Sequence, residues 1–243
     1  MLSFLFNEVF YRPLFNALVF LYQTAAFYDL GIAIILMTVV LRLALWPLAS
    51  KALRSQKELT ALQPEIKKLQ EQYKNNKDEQ MKRVMALYKE KKVNPFSGFV
   101  PILIQLPVLF ALYRVFFAGF KEESITALYS FIPNPGAMQH MFLGVLDLTI
   151  THNIALAVMV GAFQFYQSRM MLKDQQKRQK GPVAQNDFAA HMSKQMVYVM
   201  PAAIAFTAYI LPTGIALYLA VTTLFSIVQQ MHVLKSASAE ATS

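Results

Sequence analysis

Long apolar runs with almost no charge constrain this chain more than any other feature of its sequence. The hydrocarbon core of a bilayer is about 30 Å thick, so a helix needs roughly 20 mainly apolar residues to cross it. Only 15% of the residues are charged, against about 25% in soluble domains, and 56% are hydrophobic. We therefore predict an all-α integral membrane protein with five transmembrane helices. The predicted spans cover residues 30–50, 96–120, 153–171, 195–211 and 213–233.

Residues 1–29 form a further apolar region, which polar residues interrupt. Apolar side chains recur there at helical spacing, and Asn7, Arg12, Asn16 and Gln23 fall between them. This pattern is typical of an amphipathic helix that lies in the membrane interface. The alternative is a short and poorly apolar sixth span.

The basic residues are distributed unevenly between the predicted loops. Segment 51–92 holds twelve Lys and Arg against six Asp and Glu, and segment 169–194 holds six against two. Loop 121–152 has Lys121 as its one basic residue. By the positive-inside rule, 51–95 and 172–194 are cytoplasmic and 121–152 is external. The N-terminus is then outside, and the short tail 234–243 is cytoplasmic, as in a bacterial-type inner membrane protein.

The predicted cytoplasmic segment 51–95 is too patterned for a simple connection. Two apolar series recur at spacings of three and four on either side of a polar turn at 74–78, and Pro64 suits the first turn of a helix. We predict a helical hairpin whose apolar stripes pack together. A purely structural role for it is an equal alternative. The series consist of Leu59, Leu62, Ile66, Leu69 and Tyr73, and of Met81, Val84, Met85 and Tyr88.

Sequence patterns that carry enzymatic chemistry are absent. The chain has no cysteine, and its four histidines are isolated, with no metal-binding spacing such as H-E-x-x-H. It has no nucleophile elbow and no phosphate-binding loop. No predicted span carries an acidic residue in its interior. We therefore predict that the chain is not an enzyme and needs neither a metal nor another cofactor.

Polar residues instead gather in the cytoplasmic halves of the spans. Arg42 lies deep in the first span, where a guanidinium costs about 2.5–3.5 kcal/mol and cannot lose its proton. Snorkelling to the headgroups is one explanation for it. The other explanation is a polar groove in the inner leaflet, because further spans carry polar residues at a similar depth. Each of these residues alone could instead be satisfied by an interhelical hydrogen bond. The predicted groove residues are Arg42, Gln105, Gln164, Thr222, Thr223 and Ser226.

Arg114 differs from Arg42 in depth. It lies near the outer end of the second span and next to Tyr113. Arginine and tyrosine are both common at membrane interfaces. We therefore predict that Arg114 is an interface anchor.

Four stretches of the chain form a recognisable pattern. The first runs from Asp29 through Arg42 to Trp46-Pro47-Leu48, and the second is Gln63 to Gln70. The third is the most specific and runs from Lys91 to Arg114. The fourth contains Met200-Pro201, Leu211-Pro212-Thr213-Gly214 and Leu217-Tyr218. In this order, and over nearly the whole chain, they resemble the YidC-type membrane protein insertases, a family with mitochondrial and thylakoid relatives.

The resemblance implies a function without a chemical reaction. Family members form a groove that is open to the cytoplasm and to lipid, with an arginine matching Arg42, and they release apolar segments sideways into the bilayer. The expected partners are nascent membrane proteins and lipids, together with ribosomes, signal-recognition targeting factors and the Sec translocon, and no nucleic acid directly. The hairpin residues implicated in contacting them are Gln63, Pro64, Glu65, Lys67 and Lys68.

Three departures from the family pattern qualify these expectations. Leu219 replaces a tryptophan found in many bacterial members, and Thr222-Thr223 replaces a common asparagine pair, so the far wall of the groove is expected to differ. The tail has Lys235 as its one base, which argues against a strong ribosome-binding tail. We also expect no large external domain. The alternatives to an insertase are a small-solute transporter and an assembly scaffold for membrane complexes.

Overall fold

The computed structural model describes residues 2–94, 96–97, 100–117, 127–178 and 188–239. In these ranges the chain is mostly helical, as predicted. A π-helical turn, Asn7–Tyr11, joins the first two helices. The helices are α1 (Leu2–Phe6), α2 (Arg12–Thr24), α3 (Leu30–Ala44), α4 (Trp46–Ala61), α5 (Gln63–Gln72), α6 (Lys77–Glu90), α7 (Val100–Phe117), α8 (Ile154–Arg178), α9 (Phe188–Ile210) and α10 (Thr213–Ala239), and two short strands are β1 (Met141–Phe142) and β2 (Leu146–Asp147).

The N-terminal helix α2 packs into the main core. Pro13 lies in its first turn, where a missing N–H breaks no helical hydrogen bond. One face of α2 is buried against α3 and α7, and Leu18 and Val19 are fully buried there. The sequence placed Asn16 among the polar residues that interrupt this region, but the structure buries it with the apolar face. The position of this helix in a membrane stays a prediction.

The first predicted span, 30–50, is shorter as a helix and ends in a sharp bend. Asp29 caps α3 by accepting a hydrogen bond from the Ile32 amide at 2.9 Å. The helix ends at Ala44, and α4 begins at Trp46 after a bend of 61°. Pro47 in the first turn of α4 explains the break, because proline has no N–H to donate to the preceding turn.

Helices α5 and α6 form the predicted hairpin. Pro64 lies in the first turn of α5, and Asn76 caps α6 by accepting from the Glu79 amide at 3.1 Å. Leu62, Ile66, Leu87 and Val93 are buried between the two helices. Met81 and Met85 were predicted to share this apolar stripe but are exposed.

Helices α8, α9 and α10 form the other side of the bundle. The tight turn predicted around Pro212 is present, because α9 ends at Ile210 and α10 begins at Thr213. Helices α8 and α9 continue beyond predicted spans 153–171 and 195–211 into the predicted basic loop 172–194, whose residues 179–187 are outside the described part. Gly161 permits their close approach, since a Cβ there would lie 2.9 Å from that of Ala205.

Residues 127–152, predicted simply as external loop, form an ordered cap over one end of the bundle. The cap contains the β1–β2 hairpin and buries Ile132, Met138 and Leu148. Its backbone is tied to the ends of the helices, for example by the Gly214 amide, which donates to the Leu148 carbonyl at 2.9 Å. Residues 121–126 of the predicted loop are outside the described part.

The described helices differ in their capacity to cross a membrane. In the described ranges, Thr213–Val233 is long and apolar enough to cross a membrane as one helix. The bent pair α3–α4 is long and apolar enough when its two helices are taken together as one span. Gln105–Val115 and Val197–Ile210 are apolar but shorter. These features support one or two spans by length and composition, and the count of five stays a prediction.

Candidate functional site

Arg42 lies in the last turn of α3, immediately before the bend into α4. Its guanidinium Nη2 donates a hydrogen bond to Gln105 Oε1 on α7 at 3.0 Å. The other amide atom, Gln105 Nε2, donates to the hydroxyl oxygen of Tyr218 on α10 at 2.7 Å. This chain of side chains therefore joins three helices through one polar connection.

These residues face a cavity of about 280 Å³ between α3, α4, α7, α8, α9 and α10. Apolar side chains form much of its wall, and the polar groups come from four different helices. Five of the six residues predicted for the groove line it, namely Arg42, Gln105, Gln164, Thr222 and Ser226. The remaining lining residues are Thr38, Leu41, Leu45, Ala49, Ala52, Val108, Ile204, Tyr218 and Leu219.

Thr223 is the predicted groove residue that does not line the cavity. Tyr218, Thr222 and Ser226 are spaced by four residues and therefore share one face of α10. Thr223 lies one position further on, which rotates its side chain by about 100° away from that face. Its hydroxyl is buried and donates to the Leu219 carbonyl at 2.8 Å within the same helix.

Tyr218 and Thr38 are cavity residues that the predicted site omitted. Tyr218 was noted only as part of the resemblance, although the four-residue spacing to Thr222 and Ser226 could have placed it on the cavity face. The Thr38 hydroxyl donates to the Ile34 carbonyl at 2.6 Å, so its own helix satisfies it. Thr38 precedes Arg42 by one helical turn, and this spacing could have placed it on the same face of α3 as Arg42.

The guanidinium of Arg42 has no carboxylate partner in the described ranges. Its single hydrogen-bonded partner there is the neutral amide of Gln105. Arginine stays protonated and carries five N–H donors, so most of its donors are left for water or for an acidic group in the cavity. Within the same ranges no three His, Asp or Glu side chains come together to hold a metal ion.

Gln229 links α10 to the first turns of α4, immediately after the bend. Its Nε2 donates to the Trp46 carbonyl and to Ser50 Oγ, each at 3.1 Å. Trp46 also packs edge-on against Phe225, with ring centroids 5.7 Å apart. Gln229 thus makes the kind of interhelical hydrogen bond that was the alternative explanation for the polar residues of the spans.

Arg114 connects α7 with the N-terminal π-helical turn. It donates to Asn7 Oδ1, and its guanidinium carbon lies 4.7 Å from the centre of the Tyr11 ring. A cation above an aromatic face is attracted by the ring quadrupole. The role of Arg114 as an interface anchor stays a prediction.

The predicted contact residues of the hairpin lie in the first half of α5. Glu65 and Lys68 are exposed, and Glu65 Oε2 lies 4.0 Å from Lys91 Nζ after the end of α6. Gln63, Pro64 and Lys67 are partly buried. All five residues lie on this one helix, and none of them lines the cavity.

Comparison with known proteins identifies the family. The family described as "60Kd inner membrane protein" matches residues 20–240. The protein named "Membrane protein insertase YidC" from Fusobacterium nucleatum subsp. nucleatum is 32% identical over 227 residues, covering 93% of this chain and 97% of that protein. Proteins of the same name from Rickettsia massiliae and Geobacter sp. are 31% and 32% identical and cover 92% and 93% of the chain.

These relatives differ in length. The chain spans nearly all of the Fusobacterium protein but 38% and 37% of the Rickettsia and Geobacter proteins. Their names describe an insertase rather than an enzyme, and they give no support to a transporter or a scaffold. The match of the family over most of the chain confirms the resemblance drawn from the four sequence stretches. This chain therefore belongs to the YidC family of membrane protein insertases, a family of inner membrane proteins.

Proposed function

We propose that this chain inserts nascent membrane proteins by holding polar or acidic parts of the incoming segment against Arg42. The observation that carries the proposal is a charged side chain that has one neutral partner among the described residues, at the wall of a 280 Å³ cavity. An aspartate at the bilayer centre costs about 2.5–3.5 kcal/mol. Interaction with Arg42 offsets part of that cost while the polar flank crosses.

The size of the cavity limits what it can hold. A helix of 20 residues is about 30 Å long and at least 10 Å wide, which corresponds to a cylinder of roughly 2,400 Å³. The cavity, at about 280 Å³, is much smaller than that cylinder. It therefore accommodates a few side chains of the polar flank, and the apolar segment passes along the bundle surface into lipid.

The proposed topology has five spans, with the cap outside and the α5–α6 hairpin in the cytoplasm. The excess of basic residues in segment 51–92 supports this orientation, as does the near absence of charge from the cap. In this arrangement Arg42, Gln105, Gln164, Thr222 and Ser226 form the inner-leaflet groove. Residues 1–29 lie at the outer interface, and Arg114 anchors the outer end of α7.

The exposed face of α5 is the proposed receiving surface for partners. Glu65 and Lys68 are accessible there, in the middle of the chain's most basic segment, 51–92. Nascent chains are the partners that the insertase function requires. Ribosomes, targeting factors and the Sec translocon are further partners proposed from the family resemblance.

The experiment is insertion by the purified protein in liposomes. Two single-span substrates are compared, which differ only in an acidic or a neutral translocated flank. Arg42→Ala is expected to lower the yield of the acidic substrate about tenfold, as the loss of roughly 1.4 kcal/mol would. Arg42→Lys keeps the charge and should retain most activity.

Arg54→Ala is the matched control, because it removes an exposed arginine on α4 that does not line the cavity. It should leave both yields unchanged. Equal yields of the acidic substrate with Arg42→Ala and with the unaltered protein would exclude the proposed role of Arg42. Absence of insertion by the unaltered protein with either substrate would contradict insertion by this chain alone.

A further inference from the structure

The turn between α2 and α3 holds two aromatic residues in an unusual backbone conformation. Phe27 and Tyr28 have φ angles of 53° and 63°, in the left-handed region that bulky residues rarely adopt. Nearby contacts fix this turn, since the Asp29 amide donates to the Ala26 carbonyl at 2.8 Å and Tyr28 packs edge-on against Tyr22. These contacts thus hold the turn in a strained conformation, in which the side chain of Phe27 is 88% exposed.

The tip of the β1–β2 hairpin lies next to this turn. Asp29 links the two, because its Oδ2 accepts from the Leu143 amide at 2.6 Å while its Oδ1 caps α3. Leu143 also has a positive φ, and the side chains of Leu143 and Val145 are 65% and 85% exposed. Phe27, Tyr28, Leu143 and Val145 together form what we call the apolar tip.

The composition of the cap indicates what surrounds the apolar tip. Among the 26 residues 127–152, Asp147 is the one Asp, Glu, Lys or Arg. A water-exposed surface normally carries many charges, and adjacent exposed apolar side chains mark a site of interaction with a membrane or a protein. A lipid surface requires no complementary shape or charge, which suits four protruding apolar side chains.

The depth of the apolar tip favours lipid in particular. Helix α3 is the first proposed span, and it begins at Leu30, three residues after Phe27. The proposed topology places this end at the outer boundary between headgroups and acyl chains. Aromatic residues are enriched at that depth.

We propose that the apolar tip enters the outer leaflet and binds lipid acyl chains near the headgroups, which anchors the cap to the bilayer. This inference rests on the proposed topology. It has a consequence for the groove, because Arg42 lies 12 residues from Leu30, or about 18 Å along α3. Anchoring the start of α3 fixes the depth at which Arg42 is held.

Fluorescence quenching can test this contact, because Trp46 is the single tryptophan of the chain. In a Trp46→Phe background, Phe27→Trp and Val145→Trp each place one tryptophan in the apolar tip. The proteins are incorporated into nanodiscs with phosphatidylcholine brominated at carbons 6 and 7 or at carbons 11 and 12. Iodide in the buffer serves as the aqueous quencher.

Two further single-tryptophan variants provide the controls. Phe110→Trp lies on an exposed part of α7 within a proposed span, and Met81→Trp lies on the exposed face of α6. We expect Phe27→Trp and Val145→Trp to be quenched more by the shallow bromines than by the deep ones, and only weakly by iodide. Phe110→Trp should respond to the bromolipids and Met81→Trp to iodide.

The outcomes separate this inference from the topology on which it rests. If iodide quenches both apolar-tip variants as it quenches Met81→Trp, while bromolipids quench Phe110→Trp, the tip lies in water and the inference is overturned. Protection from both quenchers means that protein covers the tip, which also overturns it. If bromolipids fail to quench Phe110→Trp, the proposed spans themselves are wrong.

Discussion

The guanidinium of Arg42 donates a hydrogen bond of 3.0 Å to the side-chain carbonyl of Gln105, 63 residues further along the chain. Arginine has no acceptor, so this contact determines which end of the Gln105 amide faces Arg42. The amide nitrogen is then directed to the Tyr218 hydroxyl at 2.7 Å. Within the part of the chain that the structure describes, the arrangement positions the charge of Arg42 at the cavity without neutralising it.

Gln105→Glu tests whether that uncompensated charge is needed. The substitution keeps the shape of the side chain and adds a carboxylate within hydrogen-bonding distance of Arg42, where the two groups form an ion pair. We expect insertion of an acidic-flank substrate to fall several-fold, with a smaller loss for the neutral-flank substrate. Insertion yields in liposomes measure both effects.

Asn75→Asp is the matched control for this substitution. It adds the same charge at an exposed position in the turn between α5 and α6, away from the cavity and outside the proposed receiving surface. It should leave the ratio of the two yields unchanged. A Gln105→Glu variant with the normal yield of the acidic-flank substrate would mean that the net charge at Arg42 is unimportant.

Tyr218→Phe tests whether the hydroxyl positions Gln105. Tyr218 is buried, and removal of its hydroxyl leaves the Gln105 N–H group without this partner. A typical intramolecular hydrogen bond contributes about 0.5–1.5 kcal/mol to stability, and cavity water can replace it at the part-buried Gln105 amide. We expect the free energy of unfolding to fall by no more than that amount in denaturant titrations.

A double-mutant cycle with Gln105→Leu separates this contact from other effects of the substitution. If the two residues interact directly, the double variant should lose less stability than the sum of the single variants. Tyr198→Phe, which removes a hydroxyl from an exposed position on α9, should have little effect. Strict additivity of Tyr218→Phe and Gln105→Leu would contradict the proposed coupling.

The depth of polar residues within the predicted spans indicated the cavity lining better than the apolar runs indicated the path of the helices. The depths of Arg42 and Gln105 were readable from their distance to the span ends, and both line the cavity. The predicted site was chosen by polarity and depth, without regard to which face of the helix each residue occupies. It therefore included Thr223 and omitted Tyr218. The bend at Leu45 was not predicted, although Pro47 was a local signal for it.

The cap could not be predicted because long-range contacts determine its structure. Asn16 bonds to Ala127 and Tyr129, more than 110 residues away, and Asp29 bonds to Leu143 at a similar separation. The sequence of 127–152 has no periodic pattern from which such contacts could be predicted. The same contacts explain why Asn16 is buried although it interrupts an apolar stripe.

Gly31→Ala tests the contact between α3 and the cap. A Cβ on Gly31 would lie 2.2 Å from Phe142 Cδ2 and 2.7 Å from its Cβ, so rotation of the ring alone cannot remove the clash. Alanine is otherwise favoured over glycine within a helix. We expect the clash to dominate and to lower stability by about 1–3 kcal/mol, measured by thermal unfolding.

Phe142→Ala provides the compensating change for Gly31→Ala. The double variant should be more stable than Gly31→Ala alone, because the added methyl group then has space. Gly161→Ala is a comparison on the opposite side of the bundle, where the nearest atom is the Ala205 Cβ at 2.9 Å. If Gly31→Ala stabilises the protein, the close contact of Phe142 with α3 is not maintained in the membrane.

Asn16→Ala tests how the cap is held to α2. The side-chain amide donates to the Arg12 and Ala127 carbonyls at 2.7 and 2.9 Å, and Oδ1 accepts from the Tyr129 amide at 2.7 Å. Truncation leaves the part-buried Tyr129 amide without this partner, and an unsatisfied group costs about 1–3 kcal/mol when it is buried. Because the lost contacts belong to the cap, we expect local opening to increase before global unfolding does.

Hydrogen exchange of the Tyr129 amide measures this opening directly. Exchange at that amide should accelerate at least tenfold in Asn16→Ala, while amides in the middle of α10 should keep their protection. Asn134→Ala is the control, because Asn134 makes an exposed side-chain hydrogen bond to the Gly136 amide within the same cap. Its loss should leave exchange at Tyr129 unchanged, since water replaces an exposed partner at little cost. Unchanged exchange in Asn16→Ala would mean that the remaining contacts, such as the hydrogen bond from Arg12 Nε to the Ala127 carbonyl, suffice to hold the cap.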